Sequence, residues 1–94
     1  MSVAVLEPRL AALGTRLGDL LSAERRGWYE EFLGVGEYEL ALEMLADWLS
    51  EDETPLPLDA RSEALNLASA MGVHDRVAGA LAHCPPEPAW RPSV

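Results

Sequence analysis

The sequence predicts an all-α fold, a small bundle of four or five helices. Apolar residues recur at intervals of three and four, and no segment alternates apolar and polar residues in the manner of a strand. A chain of 94 residues that is 49% hydrophobic supports a single core. We therefore expect residues 1–84 to form one helical domain, followed by a Pro-rich extended tail at residues 85–94.

The first predicted helix runs from about Pro8 to Leu21. Pro8 would then belong to the first turn, where a missing N–H is tolerated. The apolar stripe of this helix is either the core face of a bundle or a surface for self-association. Gly14 and Gly18 would let another helix approach closely. The stripe consists of Val3, Leu6, Leu10, Leu13, Leu17 and Leu20.

The next two predicted helices are separated by Gly34-Val35-Gly36, a turn without the features of a phosphate-binding loop. Ser22 is expected to cap the second helix. The third helix, from about Glu37 to Leu49, has the clearest periodicity in the chain. Its expected apolar face consists of Tyr38, Ala41, Leu42, Leu45, Trp48 and Leu49, and the second helix supplies Trp28, Tyr29, Phe32 and Leu33 for packing.

Two shorter helices are predicted after a connector at residues 54–58, where two prolines prevent a helix from continuing. Asp59 is expected to cap the fourth helix, which Gly72 would end. Asp75 is the expected cap of the fifth helix. The apolar residues assigned to these helices are Leu65, Ala68 and Met71 in the fourth and Val77, Ala80 and Leu81 in the fifth.

The sequence offers little support for catalysis, and we expect no catalytic residues, no metal and no cofactor. His74 and His83 lack the spacing of zinc ligands, and Cys84, the single cysteine, has no partner for a disulfide. No apolar run is long enough for a membrane helix, and the start lacks a signal-peptide pattern, so the cytoplasm is the expected compartment. The formal charge of -9 disfavours nucleic acid and anionic membranes and favours a basic partner.

Acidic residues are concentrated in the middle of the chain, where no basic residue lies between Arg26 and Arg61. Glu39, Glu43 and Asp47 are spaced four residues apart, so they form one ridge beside the apolar face of the third helix. Like charges at this spacing repel, and a positively charged partner would relieve the repulsion. The alternative is a solvated face that keeps the protein soluble. The same carboxylates lack the pattern of a calcium-binding EF-hand loop.

The segment Gly36-Glu37-Tyr38-Glu39-Leu40-Ala41-Leu42-Glu43-Met44-Leu45-Ala46-Asp47-Trp48-Leu49 resembles bacterial immunity proteins of the MafI type. The acids, the Pro-containing connector and Ala70-Met71-Gly72 that follow extend the resemblance over roughly residues 34–72. These small helical proteins are encoded beside polymorphic or contact-dependent inhibition toxins. The resemblance implies binding of a cognate toxin domain, often a nuclease. It implies Glu37, Glu39, Glu43, Asp47, Glu51 and Asp52 as toxin-facing residues.

Two classes of function compete with an immunity protein. A helical adaptor or assembly subunit would dimerise through the leucine stripe of the first helix, and its acids would serve solubility. A small helical enzyme is the third class, for which the sequence gives no substrate pocket. Each of these functions is compatible with a homodimer. A gene for a large secreted toxin immediately upstream of this gene would favour an immunity protein.

Overall fold

The structure, a computed structural model, describes residues 1–87. This part of the chain folds into five α-helices with no strand, which confirms the predicted all-α bundle. The helices are α1 (Val3–Leu17), which continues into a 3-10 turn at Gly18–Leu20, α2 (Ala23–Gly34), α3 (Tyr38–Glu51), α4 (Leu58–Ala70) and α5 (His74–Leu81).

The third helix is the centre of the bundle. It packs against α2 on one side and α5 on the other, while α1 packs against α2 and α4. The apolar face predicted for α3 is confirmed, because five of its six residues are buried and Tyr38 is half-buried. The buried five are Ala41, Leu42, Leu45, Trp48 and Leu49.

The first helix begins earlier than the sequence predicted and contains Pro8 in its interior. The carbonyl of Ser2 accepts hydrogen bonds from the amides of Val5 and Leu6, which closes the first turn. Leu6 is buried, and its burial favours this turn although Pro8 cannot donate to the carbonyl of Ala4. Ala4 is exposed, so water can satisfy that carbonyl.

The leucine stripe of α1 is used inside this chain. Leu6, Leu10, Leu13 and Leu17 are buried in the core, whereas Val3 and Leu20, which the sequence placed on the same stripe, are exposed. A dimer formed through the stripe would require the four leucines to leave the core.

A close approach between α1 and α2 depends on Gly14, as the glycine spacing suggested. A Cβ atom at Gly14 would lie 2.5 Å from Cε2 of Tyr29. The buried hydroxyl of Tyr29 donates a hydrogen bond of 2.7 Å to the carbonyl of Leu10, so the ring is fixed against α1. At Gly18 the nearest atom is Cδ of Arg26, 3.5 Å away, which is ordinary contact.

Of the three predicted caps, only the one at Ser22 is confirmed, where the side chain accepts a hydrogen bond from the amide of Arg25. Asp59 and Asp75 lie within the first turns of α4 and α5 instead. Pro57 precedes α4, and its fixed φ suits the entry to a helix. Both aspartates still interact favourably with the positive ends of the helix dipoles.

The residues after α5 return to the connector between α3 and α4. The amide of Leu56 donates to the carbonyl of Pro85 at 3.0 Å, and the amide of Glu87 donates to the carbonyl of Leu56 at 2.9 Å. Arg61 donates to the carbonyls of Leu81 and Cys84 as α5 ends. Residues 88–94 of the predicted tail lie outside the described residues. None of α1–α5 has the length and apolar character needed to cross a membrane.

Candidate protein-binding surface

The six predicted toxin-facing acids are distributed along the whole length of α3. Glu37 immediately precedes the helix, and Glu39 lies in its first turn; both are exposed. Glu43 and Asp47 are half-buried in the middle, and Glu51 and Asp52 are exposed where the helix ends. The structure therefore does not gather the six into one cluster, and their surroundings differ from end to end.

Asp47, the last member of the predicted ridge, is neutralised by α5. Arg76 donates two hydrogen bonds to the Asp47 carboxylate, at 2.8 and 2.6 Å. The hydrogen bonds to Asp47, together with the charge of nearby Glu43, raise the pKa of Arg76. A basic residue distant in the sequence thus interrupts the ridge in space.

The two acids where α3 ends are also paired, in this case with α2. Arg25 donates to Glu51 at 2.7 Å, and its second terminal nitrogen lies 3.6 Å from Asp52. The guanidinium carbon of Arg25 is 5.9 Å from the ring centroid of Trp48, a cation–π arrangement. These contacts tie the start of α2 to the end of α3.

The acids near the start of α3 have different surroundings. Among the residues described, no arginine lies within ion-pair distance of Glu37, Glu39 or Glu43. Glu31 on α2 is also exposed and lies near the same turn. This turn, at which Gly36 has φ +80°, joins α2 and α3. Within residues 1–87, four acids without an arginine ion pair therefore lie on the half of the α2–α3 hairpin that includes the turn: Glu31, Glu37, Glu39 and Glu43.

The hairpin also carries exposed apolar side chains that the sequence did not identify as functional. Trp28 is 46% exposed although its ring lies 6.1 Å from that of Trp48, and Leu40 is 39% exposed. Leu40 lies outside the predicted apolar face of α3, so the helical periodicity already indicated that its side chain would be exposed. The sequence contained no comparable indication that Trp28 would be exposed, because the side of α2 that is buried depends on how this helix packs against α1 and α3.

An open groove of about 470 Å³ lies between α1 and α2 on another side of the molecule. Gly14 of α1 and Gly18 of the 3-10 turn line it on one side, and Arg26, Tyr29 and Glu30 of α2 line it on the other. Arg26 brings one positive charge to the groove, and Asp19 and Glu30 bring two negative charges, so side chains of both signs face a ligand there.

The side chains with catalytic or metal-binding potential are not brought together. Cys84 is buried, and burial raises the pKa of its thiol, although Arg61 opposes this increase. His74 is exposed at the start of α5, where its nearest carboxylate is Asp75. Within residues 1–87 no group of three or more histidine, cysteine or acidic side chains could hold a metal ion.

Comparisons of this chain with protein-family models, with curated proteins and with solved structures found no match.

Proposed function

We propose that this protein binds a basic partner protein through the acidic turn end of its α2–α3 hairpin. The partner that the MafI-type resemblance implies is the cognate toxin domain of a bacterial inhibition system, so the chain would act as an immunity protein. The observation that carries the proposal is the set of carboxylates at Glu37, Glu39 and Glu43, none of which lies within ion-pair distance of an arginine in the described part of the chain.

The use of arginine elsewhere in the fold supports this choice of surface. Four arginines each pair with a carboxylate, and a fifth, Arg61, donates to backbone carbonyls. The four are Arg9, Arg16, Arg25 and Arg76. Five of the six arginines in residues 1–87 thus join separate elements of the fold, and none of these five forms an ion pair with an acid at the turn end of the hairpin.

A basic nuclease domain fits such a surface for a physical reason. Its arginines and lysines bind the phosphates of nucleic acid, and carboxylates at comparable positions would compete for the same side chains. Complementary charge also accelerates the encounter, and this acceleration falls as added salt shortens the Debye length, which is about 8 Å at physiological ionic strength. An immunity protein gains from fast association, because the toxin must be captured before it acts.

The proposal is tested by reversing the charge of two acids that have no arginine ion pair within residues 1–87, Glu39→Lys together with Glu43→Lys. The probe is the purified toxin domain encoded beside this gene, titrated by calorimetry at several salt concentrations. Loss of desolvated charge pairs costs about 2–5 kcal/mol, so binding should weaken about 30-fold or more. Asp47 is left unchanged, because reversing it would break the pair with Arg76 and disturb the fold.

The matched control is Glu53→Lys together with Glu87→Lys. This variant changes the net charge by the same amount. Glu53 follows α3, and the backbone amide of Glu87 donates to the connector, so both residues are far from the turn between α2 and α3. Equal losses of affinity in both double variants would indicate only a general field effect. Unchanged affinity in the first variant would show that the turn end of the hairpin is a solvated surface, and the proposed function would fail.

A further inference from the structure

The outer face of the α2–α3 hairpin carries an apolar strip, which we define as Trp28, Phe32, Leu40 and Met44. Each helix contributes two residues spaced i and i+4, so each pair lies on one side of its helix. Phe32 and Met44 are half-buried against the core, whereas Trp28 and Leu40 are exposed. Along each helix the pair extends about 6 Å.

Trp28, at one end of the strip, is supported from beneath. Trp28 rests against Trp48, which is buried, and Arg25 lies over the other ring of this stack while it binds Glu51. A side chain positioned in this way loses little conformational freedom when a partner covers it. Tryptophan is also among the residues that contribute most to binding energy at protein interfaces.

Acidic residues border the strip on both helices. Helical geometry places Glu24 and Glu31 beside Trp28 on α2, on the side away from α3. On α3, Glu39 and Glu43 each precede a strip residue by one position, which places them about 100° around the helix. The strip therefore has negative charge beside it on α2 and along the first half of α3, up to Asp47, which Arg76 neutralises.

We infer that the strip binds a helix of the partner protein that has an apolar face flanked by arginine or lysine. This inference rests on the proposed function and specifies the element of the partner that is recognised. An apolar stripe with acidic edges matches an amphipathic helix with basic edges, a common mode of helix recognition. A second copy of this chain fits poorly, since two such faces in contact would oppose acid to acid.

The inference is tested with two substitutions in the strip, Trp28→Ala and Leu40→Ala, and with Leu58→Ala as a matched control. Leu58 is 77% exposed on α4, so it tests removal of an exposed apolar side chain outside the hairpin. Two probes are used: the toxin domain encoded beside this gene, and a designed helical peptide with leucines on one face and arginines on both flanks. A peptide with the arginines replaced by glutamates measures the requirement for charge.

We expect Trp28→Ala to weaken binding of the toxin domain and of the arginine peptide about 30-fold or more. Leu40→Ala should weaken both measurably, Leu58→Ala should change neither, and the glutamate peptide should not bind. Leu40 is exposed and lies eight residues before Trp48 on α3, so the result for Leu40→Ala stands if Trp28→Ala proves unstable in a thermal melt.

The outcomes separate this inference from the proposed function. If Glu39→Lys with Glu43→Lys abolishes toxin binding while both strip variants bind normally, the proposed function stands and the strip is not the recognition element. If the toxin domain does not bind at all, the proposed function fails, and the arginine peptide alone decides the chemistry of the strip. Failure of that peptide to bind, or a wild-type dimer that Trp28→Ala converts to a monomer, would overturn the inference.

Discussion

Gly14 provides a sharp test of the fold, because a single methyl group added there would meet a fixed aromatic ring. In Gly14→Ala the new Cβ atom would lie 2.5 Å from Cε2 and 2.9 Å from Cδ2 of Tyr29. The ring cannot move away freely, since Tyr29 is buried and its hydroxyl donates to the carbonyl of Leu10. Either the ring shifts and weakens that hydrogen bond, or α1 and α2 separate.

The two contributions to the stability of Gly14→Ala have opposite signs. Alanine is favoured over glycine in a helix by up to about 1 kcal/mol. Overpacking of a core typically costs about 1–3 kcal/mol, and a buried hydroxyl left without its acceptor costs about 1–3 kcal/mol more. Steric repulsion therefore prevails, and we expect a net loss of about 1–3 kcal/mol. For a domain of this size each kcal/mol lowers the melting temperature by about 4–8 °C.

Gly27→Ala is the matched control, because Gly27 lies inside α2 and a Cβ atom there would meet nothing within 4 Å. This variant should gain about 0.5–1 kcal/mol from helix propensity alone. Thermal melts followed by circular dichroism compare both variants with the wild type. In a Tyr29→Leu background Gly14→Ala should lose most of its penalty, because the ring that it meets is absent. A rise in melting temperature for Gly14→Ala equal to that of Gly27→Ala would refute the close approach of α1 and α2.

Three further predictions concern the core and the ion pairs. Leu45→Ala, at a position 1% exposed, should lower the free energy of unfolding by about 2–5 kcal/mol, and an unchanged urea midpoint would show that α3 packs through another face. A hydrogen bond from Arg9 lowers the pKa of Glu63, so this pair stabilises the fold above the ordinary glutamate pKa, and the benefit disappears as pH falls through the lowered pKa. In urea titrations the stability advantage of the wild type over Glu63→Gln should therefore shrink below about pH 4, and a difference independent of pH would contradict this origin. Asp47→Lys places a second positive charge beside Arg76, so it should lower the melting temperature, and high salt should reduce this effect. An unchanged melting temperature in low salt would argue against the ion pair between Arg76 and Asp47.

The sequence predicted the elements whose local signals agree with their packing. The periodicity of α3 identified a face that is buried in the structure, and Ser22 was recognised as a cap because its side chain satisfies a nearby amide. The start of α1 was misplaced, since proline was taken to mark a first turn. Burial of Leu6 stabilises an additional turn before Pro8, and no local rule accounts for that tertiary contribution.

The charge distribution of the candidate surface was less predictable. The run of acids along α3 was evident, but the cations that neutralise half of it come from α2 and α5. Arg76 reaches Asp47 only because α5 packs against α3. Separation along the sequence therefore gave no information about which carboxylates remain free. The exposure of Trp28 was hidden for the same reason, because it depends on the orientation of α2 relative to its neighbours.

The hydrogen bonds between Leu56 and residues 85–87 determine where a tether should be attached for a binding measurement. A linker placed after Glu87 begins beside the connector that follows α3, while the turn between α2 and α3 lies before that helix. The 14 residues of α3 separate these two points by about 20 Å. A protein tethered at Glu87 would thus present the hairpin turn to the solution, and one tethered near Val35 would not.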